Sequence, residues 1–171
     1  MANGRTSARM RPLAALNGHG VFVGYASLFG RRDQAGDIVM KGAFAESLKS
    51  RGVHGIRMLF QHDAAEPVGT WLDIVEDETG LAVRGRLNAD VQRGRELIAL
   101  LHGRALDGLS IGFRAVEARR DRMSGARRLH RVDLWEISLV TFPMLAGARV
   151  ARIHAEALFS KQPDIIPEGV N

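Results

Sequence analysis

The chain has 171 residues, of which 46% are hydrophobic and 25% charged, as is typical of one globular domain. It contains no cysteine, which excludes disulfides, thiolate metal sites and a cysteine nucleophile. The formal net charge is +5, with arginine supplying nearly all the cations. Because these arginines are scattered rather than gathered on one helix, codon bias and a solvated surface explain them better than attraction to nucleic acid or to an acidic protein partner does.

The ends of the chain carry no membrane or export signal in the sequence given. No stretch reaches the roughly 18 apolar residues of a membrane span, and the apolar run at 13–16 is too short for a signal-peptide core. We therefore expect a soluble, intracellular protein. Residues 1–12 are expected to form a flexible arm, residues 13–160 a single domain and residues 161–171 a disordered tail.

Hydrophobic periodicity predicts six strands and three helices in chain order. The predicted strands are residues 21–26, 56–61, 68–75, 81–87, 106–118 and 129–142. The predicted helices are residues 42–50, a second from a cap at Asn88 or Asp90 to His102, and a third over 147–159. Residues 30–36 are expected to form a loop, and 76–80 and 121–126 to form hairpin turns. The predicted fold is α+β and mainly β: a mostly antiparallel small β-barrel flanked by about three helices.

The sequence motifs give little support for a metal site or a nucleotide-binding site. The six histidines include no H-x-x-x-H or H-E-x-x-H pair, and no phosphate-binding G-x-x-x-x-G-K-[ST] loop is present. We therefore expect neither a metal nor a cofactor.

His62 follows an apolar strand and is the first candidate catalytic residue. An imidazole at the rim of a sheet is held by a rigid element and still reaches a substrate, as a general base must. A surface histidine paired with Asp63 explains the same pattern.

Ser110 lies within the segment GLSIGF, residues 108–113. Strand alternation puts it on one face between Gly108 and Gly112, with the apolar residues on the other face. Glycines beside a hydroxyl allow a substrate backbone to approach closely. A glycine-rich edge strand with a solvent-facing serine is the alternative. The letters also match the G-x-S-x-G elbow of lipases, but a strand continues where that elbow needs a helix.

Glu136 shares a face with Leu134, Ser138 and Val140 if alternation is regular. A carboxylate among such neighbours is costly to desolvate unless a cation or a hydrogen-bond donor pairs with it. An imidazole N–H and a structural arginine are both suitable partners. Asp133, on the opposite face, is not excluded as the acidic partner by alternation alone.

Together the three residues match the needs of serine nucleophilic catalysis. A serine hydroxyl needs a base to take its proton, and the base needs an acceptor on its second nitrogen. The sequence therefore predicts Ser110 as nucleophile, His62 as general base and Glu136 as the residue that orients it.

Six ordered segments resemble the prohead proteases of tailed bacteriophages and gene-transfer particles. They are GYASLF (24–29), GDIVMKGAF (36–44), LFQHD (59–63), PVGTW (67–71), GLSIGF (108–113) and LWEISLVTFP (134–143). That family is similar in fold to the herpesvirus maturation protease, a β-barrel ringed by helices. The herpesvirus enzymes have a second histidine in the third triad position, whereas the matching strand here offers Glu136.

The resemblance implies a serine endopeptidase with Ser110 and His62 in the roles given above. It implies cleavage of the scaffolding segment of the major capsid protein, self-cleavage, and a location inside the immature capsid in the host cytoplasm. It allows a homodimer and gives no reason to expect membrane association. No motif identifies the oxyanion donors; the backbone N–H groups of Ala148 and Arg149 are the candidates.

A non-enzymatic internal capsid scaffold or a nucleic-acid-binding barrel is the alternative function. It draws on the net charge of +5. The aromatic residues mostly fall on apolar faces rather than among the arginines, which argues against nucleic-acid binding.

Overall fold

The computed structural model describes residues 20–151, which form eight strands, two α-helices and one short 3-10 turn. The strands are β1 Val21–Leu28, β2 Asp37–Val39, β3 Arg57–Phe60, β4 Asp63–Glu76, β5 Gly80–Leu87, β6 Gly108–Arg120, β7 Arg127–Val140 and β8 Val150–Ala151. The helices are α1 Ala45–Arg51 and α2 Gln92–His102, and the 3-10 turn is Val53–Gly55. The predicted N-terminal arm and C-terminal tail lie outside the described residues.

The eight strands form one mixed sheet in the order β2-β7-β3-β4-β5-β1-β8, with β6 paired to β7. The sheet curls into a half-barrel in which β1 packs against β6, and an isolated bridge joins Gly108 to Arg149. The hairpins are antiparallel as predicted, but β2 and β3 both run parallel to β7. The prediction of a mostly antiparallel barrel is therefore corrected to a mixed half-barrel, because alternation does not reveal which strands pair.

The prediction of three helices is also wrong within the described part of the chain, which contains two. The segment predicted to begin the third helix is a turn followed by β8, which pairs with β1. A Cβ at Gly24 would lie 2.9 Å from the Cα of Val150, so a glycine allows this close approach. The remainder of the predicted helix lies beyond residue 151.

The start of α2 differs from the predicted caps. The helix begins after Val91, whose extended backbone precedes the first helical residue. The side chain of Asn88 instead accepts a hydrogen bond from the Asp90 N–H at 2.9 Å, closing a turn ahead of the helix. No helix among residues 20–151 is long and apolar enough to cross a membrane.

The core fills the inside of the curl with side chains from both halves of the sheet. The rings of Phe22 and Trp71 meet edge to face with centroids 5.7 Å apart. A Cβ at Gly85 would lie 2.8 Å from Trp71 and 2.9 Å from Phe22, so this strand position is open to their rings. Buried Met58 and Ile137 complete the packing below the candidate site.

A bulge in β7 decides which side chains face the core. Gly112 pairs with Glu136 and Phe113 pairs with Leu134, which leaves Trp135 as the extra residue. Leu134 consequently turns into the core and is fully buried, whereas Glu136 stays on the opposite face. The regular alternation that put these two residues on one face is therefore wrong.

Helix α1 supports β7 next to this bulge through a single buried serine. Ser47 Oγ donates to the Val132 carbonyl at 2.9 Å and accepts from the Leu134 N–H at 2.7 Å. The hydroxyl thus satisfies backbone groups on both sides of Asp133, in the stretch of β7 between the residues that pair with β2 and those that pair with β3.

We predict that Ser47→Ala lowers the free energy of unfolding by roughly 1–3 kcal/mol, because it leaves the buried Leu134 N–H without an acceptor. Ser50→Ala, on the exposed side of the same helix, is the matched control and should change stability by less than about 0.5 kcal/mol. Urea unfolding followed by circular dichroism measures both. Equal stabilities of the two variants would remove Ser47 as the support of β7 next to the bulge.

Candidate active site

The site begins at the two-residue turn between β3 and β4. Gln61 and His62 have φ angles of 53° and 59°, and Phe60 pairs with Asp63 across the turn. Two positive φ angles are the signature of a type I′ hairpin, a position that asparagine and glycine normally occupy. Side chains as large as these are strained there, and such strain is concentrated at functional sites.

Gln61 ties this turn to the end of β7. Its N–H donates to the Leu139 carbonyl at 2.9 Å, and its side-chain Nε2 donates to Thr141 Oγ1 at 2.8 Å. The contact between β3 and β7 therefore continues into the turn, through the backbone N–H and the side chain of Gln61. These contacts fix the turn that carries His62.

His62 contacts Glu136 directly, with 2.6 Å between the ring Nδ1 and the carboxylate Oε1. The side chain of Glu136 is 12% exposed and that of His62 is 43% exposed. The hydrogen bond to Glu136 raises the pKa of His62 above its ordinary value, against an opposing effect of burial. A proton held on Nδ1 leaves Nε2 as the basic nitrogen of the neutral ring.

The alternative acidic partners make other contacts. Asp63 accepts a hydrogen bond from the Ala65 N–H at 2.8 Å. Asp133 accepts from the Arg51 guanidinium at 2.8 Å and from the Trp135 indole at 2.9 Å. Of the three carboxylates considered from sequence, Glu136 is therefore the one that the structure brings to the imidazole.

Ser138 links the turn to the carboxylate. Its hydroxyl donates to Glu136 Oε2 at 2.6 Å and accepts from the His62 backbone N–H at 3.1 Å. The residue is fully buried. One hydroxyl thus satisfies the second carboxylate oxygen of Glu136 and the backbone N–H of His62 in the strained turn.

Ser110 lies on the same face of the sheet, directly opposite Ser138 in the β6–β7 ladder. Opposite residues in an antiparallel pair have Cβ atoms about 4.5–5.5 Å apart, so Ser110 and His62 are both immediate neighbours of Ser138. Ser110 is buried, with 6% of its surface exposed, and its hydroxyl makes no hydrogen bond to residues 20–151. The hydroxyl oxygen is not fully enclosed, since no fully buried side-chain N or O atom among these residues lacks a partner. No hydrogen bond joins it to the His62 ring in this resting structure.

Gly112 has a different use from the one predicted. A Cβ at this position would overlap Oε1 of Glu136 and lie 2.7 Å from its Cδ. The space beside Ser110 on this side is therefore occupied by the acid that holds His62, and not left open for a substrate backbone. At Gly108 a Cβ would lie 2.9 Å from Pro143, so that side is also filled by the chain itself.

The two backbone N–H groups considered as oxyanion donors differ in whether each already has a hydrogen-bond acceptor. The Ala148 N–H donates to the Leu145 carbonyl at 2.9 Å and is engaged in a turn. The Arg149 N–H has no acceptor among residues 20–151, and Arg149 is bridged to Gly108, two residues before Ser110. Only Arg149 therefore remains a candidate for this role.

Sequence reasoning missed Ser138 and the role of Gly112. The signal for Ser138 was its spacing, because a residue two positions after Glu136 on a strand shares its face. No sequence signal gives the role of Gly112, since the bulge that aligns it with Glu136 depends on contacts between segments remote in sequence.

Comparison with known sequences gives one family and two curated relatives. A sequence model of the caudovirus prohead serine protease family matches residues 6–161. The prohead protease of Enterobacteria phage HK97 is 36% identical over 134 residues, 77% of this chain and 59% of that protein. The prohead protease of Escherichia phage T5 is 27% identical over 113 residues, 66% of this chain and 53% of that protein. The chain thus spans less than two thirds of the length of either relative.

Solved structures share the fold at low sequence identity. The capsid assembly protease gp21 of bacteriophage T4 is 13% identical with a TM-score of 0.57, covering 70% of this chain and 80% of that one. A KSHV protease bound to a hexapeptide phosphonate inhibitor is also 13% identical, with a TM-score of 0.51, covering 77% and 64%. The similarity to a herpesvirus protease fold predicted from the sequence is confirmed.

We predict that Gly112→Ala lowers the pKa of His62, because the new methyl group displaces the Glu136 carboxylate from Nδ1. An NMR pH titration of the His62 ring measures this change. Gly103→Ala is the control, since a Cβ there meets nothing closer than 3.4 Å and the backbone φ is −74°. An unchanged His62 pKa in Gly112→Ala would show that Glu136 does not depend on the glycine.

The raised pKa of His62 also predicts how stability varies with pH. A folded pKa above the unfolded value of about 6.5 gives a stabilisation that is complete below that pH. It is lost as the pH rises through the folded pKa of His62. Urea midpoints of the parent should therefore fall more steeply than those of Glu136→Gln as the pH rises above about 6.5. Parallel curves for the two proteins would contradict the His62–Glu136 interaction.

Proposed function

Since the chain belongs to the caudovirus prohead serine protease family, we propose that it is a serine endopeptidase with Ser110 as the nucleophile. In this proposal His62 is the general base and Glu136 orients its ring. The observation that carries it is the 2.6 Å contact between His62 Nδ1 and Glu136 Oε1, beside a serine whose hydroxyl makes no hydrogen bond to the described residues.

The protonation state of the imidazole supports these roles. A carboxylate on Nδ1 selects the tautomer in which Nε2 has a free lone pair and can accept the serine proton. The 43% exposure of the His62 side chain leaves the ring accessible from solvent, where a substrate would arrive. The absence of a Ser110–His62 hydrogen bond is compatible with this, because such bonds often tighten only when substrate is bound.

The reaction begins with attack of Ser110 Oγ on the scissile carbonyl carbon as its proton passes to His62 Nε2. The carbonyl electron pair moves to oxygen, and Glu136 stabilises the imidazolium that forms. The tetrahedral intermediate collapses when Nε2 gives the proton to the leaving nitrogen and the C–N bond breaks. Water then attacks the acyl ester and loses a proton to Nε2. The second tetrahedral intermediate collapses as the bond from carbon to Ser110 Oγ breaks and Nε2 returns the proton to Oγ, which releases the new carboxyl terminus.

The oxyanion of each tetrahedral intermediate needs a donor. The Arg149 N–H is the candidate on this chain, since it has no acceptor among residues 20–151. A donor of this kind contributes about 3–4 kcal/mol in other serine proteases.

The proposed substrate is the scaffolding segment of the major capsid protein, with self-cleavage as a second reaction. The support is family membership and the two phage relatives named prohead protease. The proposed location is the interior of the immature capsid in the host cytoplasm.

A non-enzymatic scaffold or nucleic-acid-binding barrel gives no account of the site. Neither function needs a strained turn that presents an imidazole to a carboxylate. The protease proposal accounts for the strained turn and for the contact between imidazole and carboxylate with one reaction.

We predict that Ser110→Ala abolishes cleavage of the capsid protein while the fold is retained. Its hydroxyl makes no hydrogen bond among the described residues, so its removal should cost little stability. Losses on the order of 10⁴–10⁶-fold are expected when a serine nucleophile is removed.

The experiment is co-expression of the chain with the major capsid protein encoded by the same genome, followed by mass measurement of the capsid protein. The parent and the control Ser50→Ala should both yield a shortened capsid protein, whereas Ser110→Ala should yield the full-length one. Normal trimming by Ser110→Ala would refute the nucleophile, and an untrimmed capsid protein in the parent would refute the proposed substrate.

A further inference from the structure

Positive charge is concentrated in one hairpin of the fold. Residues 114–131, the outer part of the β6–β7 hairpin, hold seven arginines and only two acidic residues. This local excess equals the net charge of +5 for the whole chain, so the remaining residues sum to zero. We call residues 114–131 the arginine arm.

Strand register places like charges against each other on this arm. Arg119 lies directly opposite Arg128, and the next pair along the ladder is Arg120 with Arg127. Like charges in directly opposite positions destabilise an antiparallel pair. The two pairs project to opposite faces of the hairpin, because successive side chains on a strand alternate. An acidic strand added along β6 presents side chains to both faces and would relieve the repulsion in both pairs.

Four of the seven arginines of the arm have acidic partners within the described residues. The pairs are Arg127–Asp37 at 2.5 Å, Arg128–Asp121 at 3.2 Å, Arg131–Glu46 at 3.0 Å and Arg114–Asp133 at 3.6 Å. Asp121 is also committed to its turn: backbone donors at Ser124 and Met123, together with Arg128, lower its pKa to about 2.

The other three arginines, Arg119, Arg120 and Arg122, lie near the tip of the arm and are not neutralised in this way. Arg119 reaches Glu117 only at 3.4 Å with three quarters of its side chain exposed. Arg120 and Arg122 have no acidic partner among residues 20–151. Three guanidinium groups at the tip are therefore available to a partner.

The backbone of the arm is open as well. Among the described residues, β6 pairs with β7 on one side and meets only the bridge at Gly108 on the other. The outer edge of residues 114–120 therefore offers unpaired N–H and C=O groups, to which an extended peptide can add as a strand.

The side chains on the arm favour a protein partner over a nucleic acid. No aromatic residue occurs between positions 114 and 131, so nucleotide bases have no stacking platform. Met123 is fully exposed and Val116 is 46% exposed, which supplies apolar contacts for a peptide. We propose that the arginine arm is a docking site for an acidic, extended polypeptide segment.

The probe for this proposal is a fluorescein-labelled decaglutamate peptide, with binding followed by fluorescence anisotropy at low salt on the full chain. The variant R119Q/R120Q/R122Q should bind it at least about tenfold more weakly than the parent, since three exposed ion pairs are lost. The matched control R86Q/R95Q/R104Q removes the same charge from exposed arginines elsewhere and should bind within about twofold of the parent. Thermal unfolding of each variant confirms that it is folded.

Equal weakening by the two triple variants would overturn the proposal, because binding would then follow net charge alone. Tighter binding of a ten-nucleotide single-stranded DNA than of decaglutamate, lost in the arm variant, would overturn it in favour of nucleic acid. Unchanged peptide binding by the arm variant, together with self-association of that variant, would overturn the proposal too. The arginines would then serve only to prevent the edge of β6 from pairing with another copy of the chain. The measurements use Ser110→Ala as the parent, so they stand apart from the proposed catalysis.

Discussion

The hydrogen bond between His62 and Glu136 is the interaction on which the whole candidate site depends. Its two residues are 74 positions apart in sequence and meet because β3 runs parallel to β7 and ends in a tight turn. The bond fixes the imidazole tautomer, raises the His62 pKa and satisfies a carboxylate that is largely withdrawn from water. Without this hydrogen bond, the strained turn and the largely buried carboxylate of Glu136 would both destabilise the fold.

Three neighbouring features allow this hydrogen bond to form within the fold. Ser138 satisfies the second carboxylate oxygen and the His62 N–H, so neither is left unpaired. Gly112 leaves the volume in which the carboxylate lies. The bulge at Trp135, next to the stretch of β7 that Ser47 supports, turns Glu136 to the site face while Leu134 packs in the core. Stability and site geometry are therefore linked through β7, which contributes to both.

Much of this arrangement can be predicted from the sequence, and the failures have physical causes. The hairpins follow from alternation, and His62, Ser110 and Glu136 stand out because their polar side chains interrupt apolar strands. The parallel pairings with β7 and the bulge escape prediction, since both depend on contacts between segments remote in sequence. The residues predicted to start a third helix form β8 because Gly24 admits a neighbouring backbone. The concentration of arginines over residues 114–131 can be seen in the sequence, but which of them lie opposite each other becomes visible only once the register of β6 and β7 is known.

The central claim is that this bond makes Ser110 a nucleophile, and covalent labelling tests it most directly. A fluorophosphonate reacts with a serine only when a neighbouring base removes the hydroxyl proton. Peptide mapping after treatment at pH 8 should locate the phosphonyl group on Ser110 in the parent, with no adduct in His62→Ala. An adduct on a different serine, or labelling of Ser110 at the same rate without His62, would contradict the account.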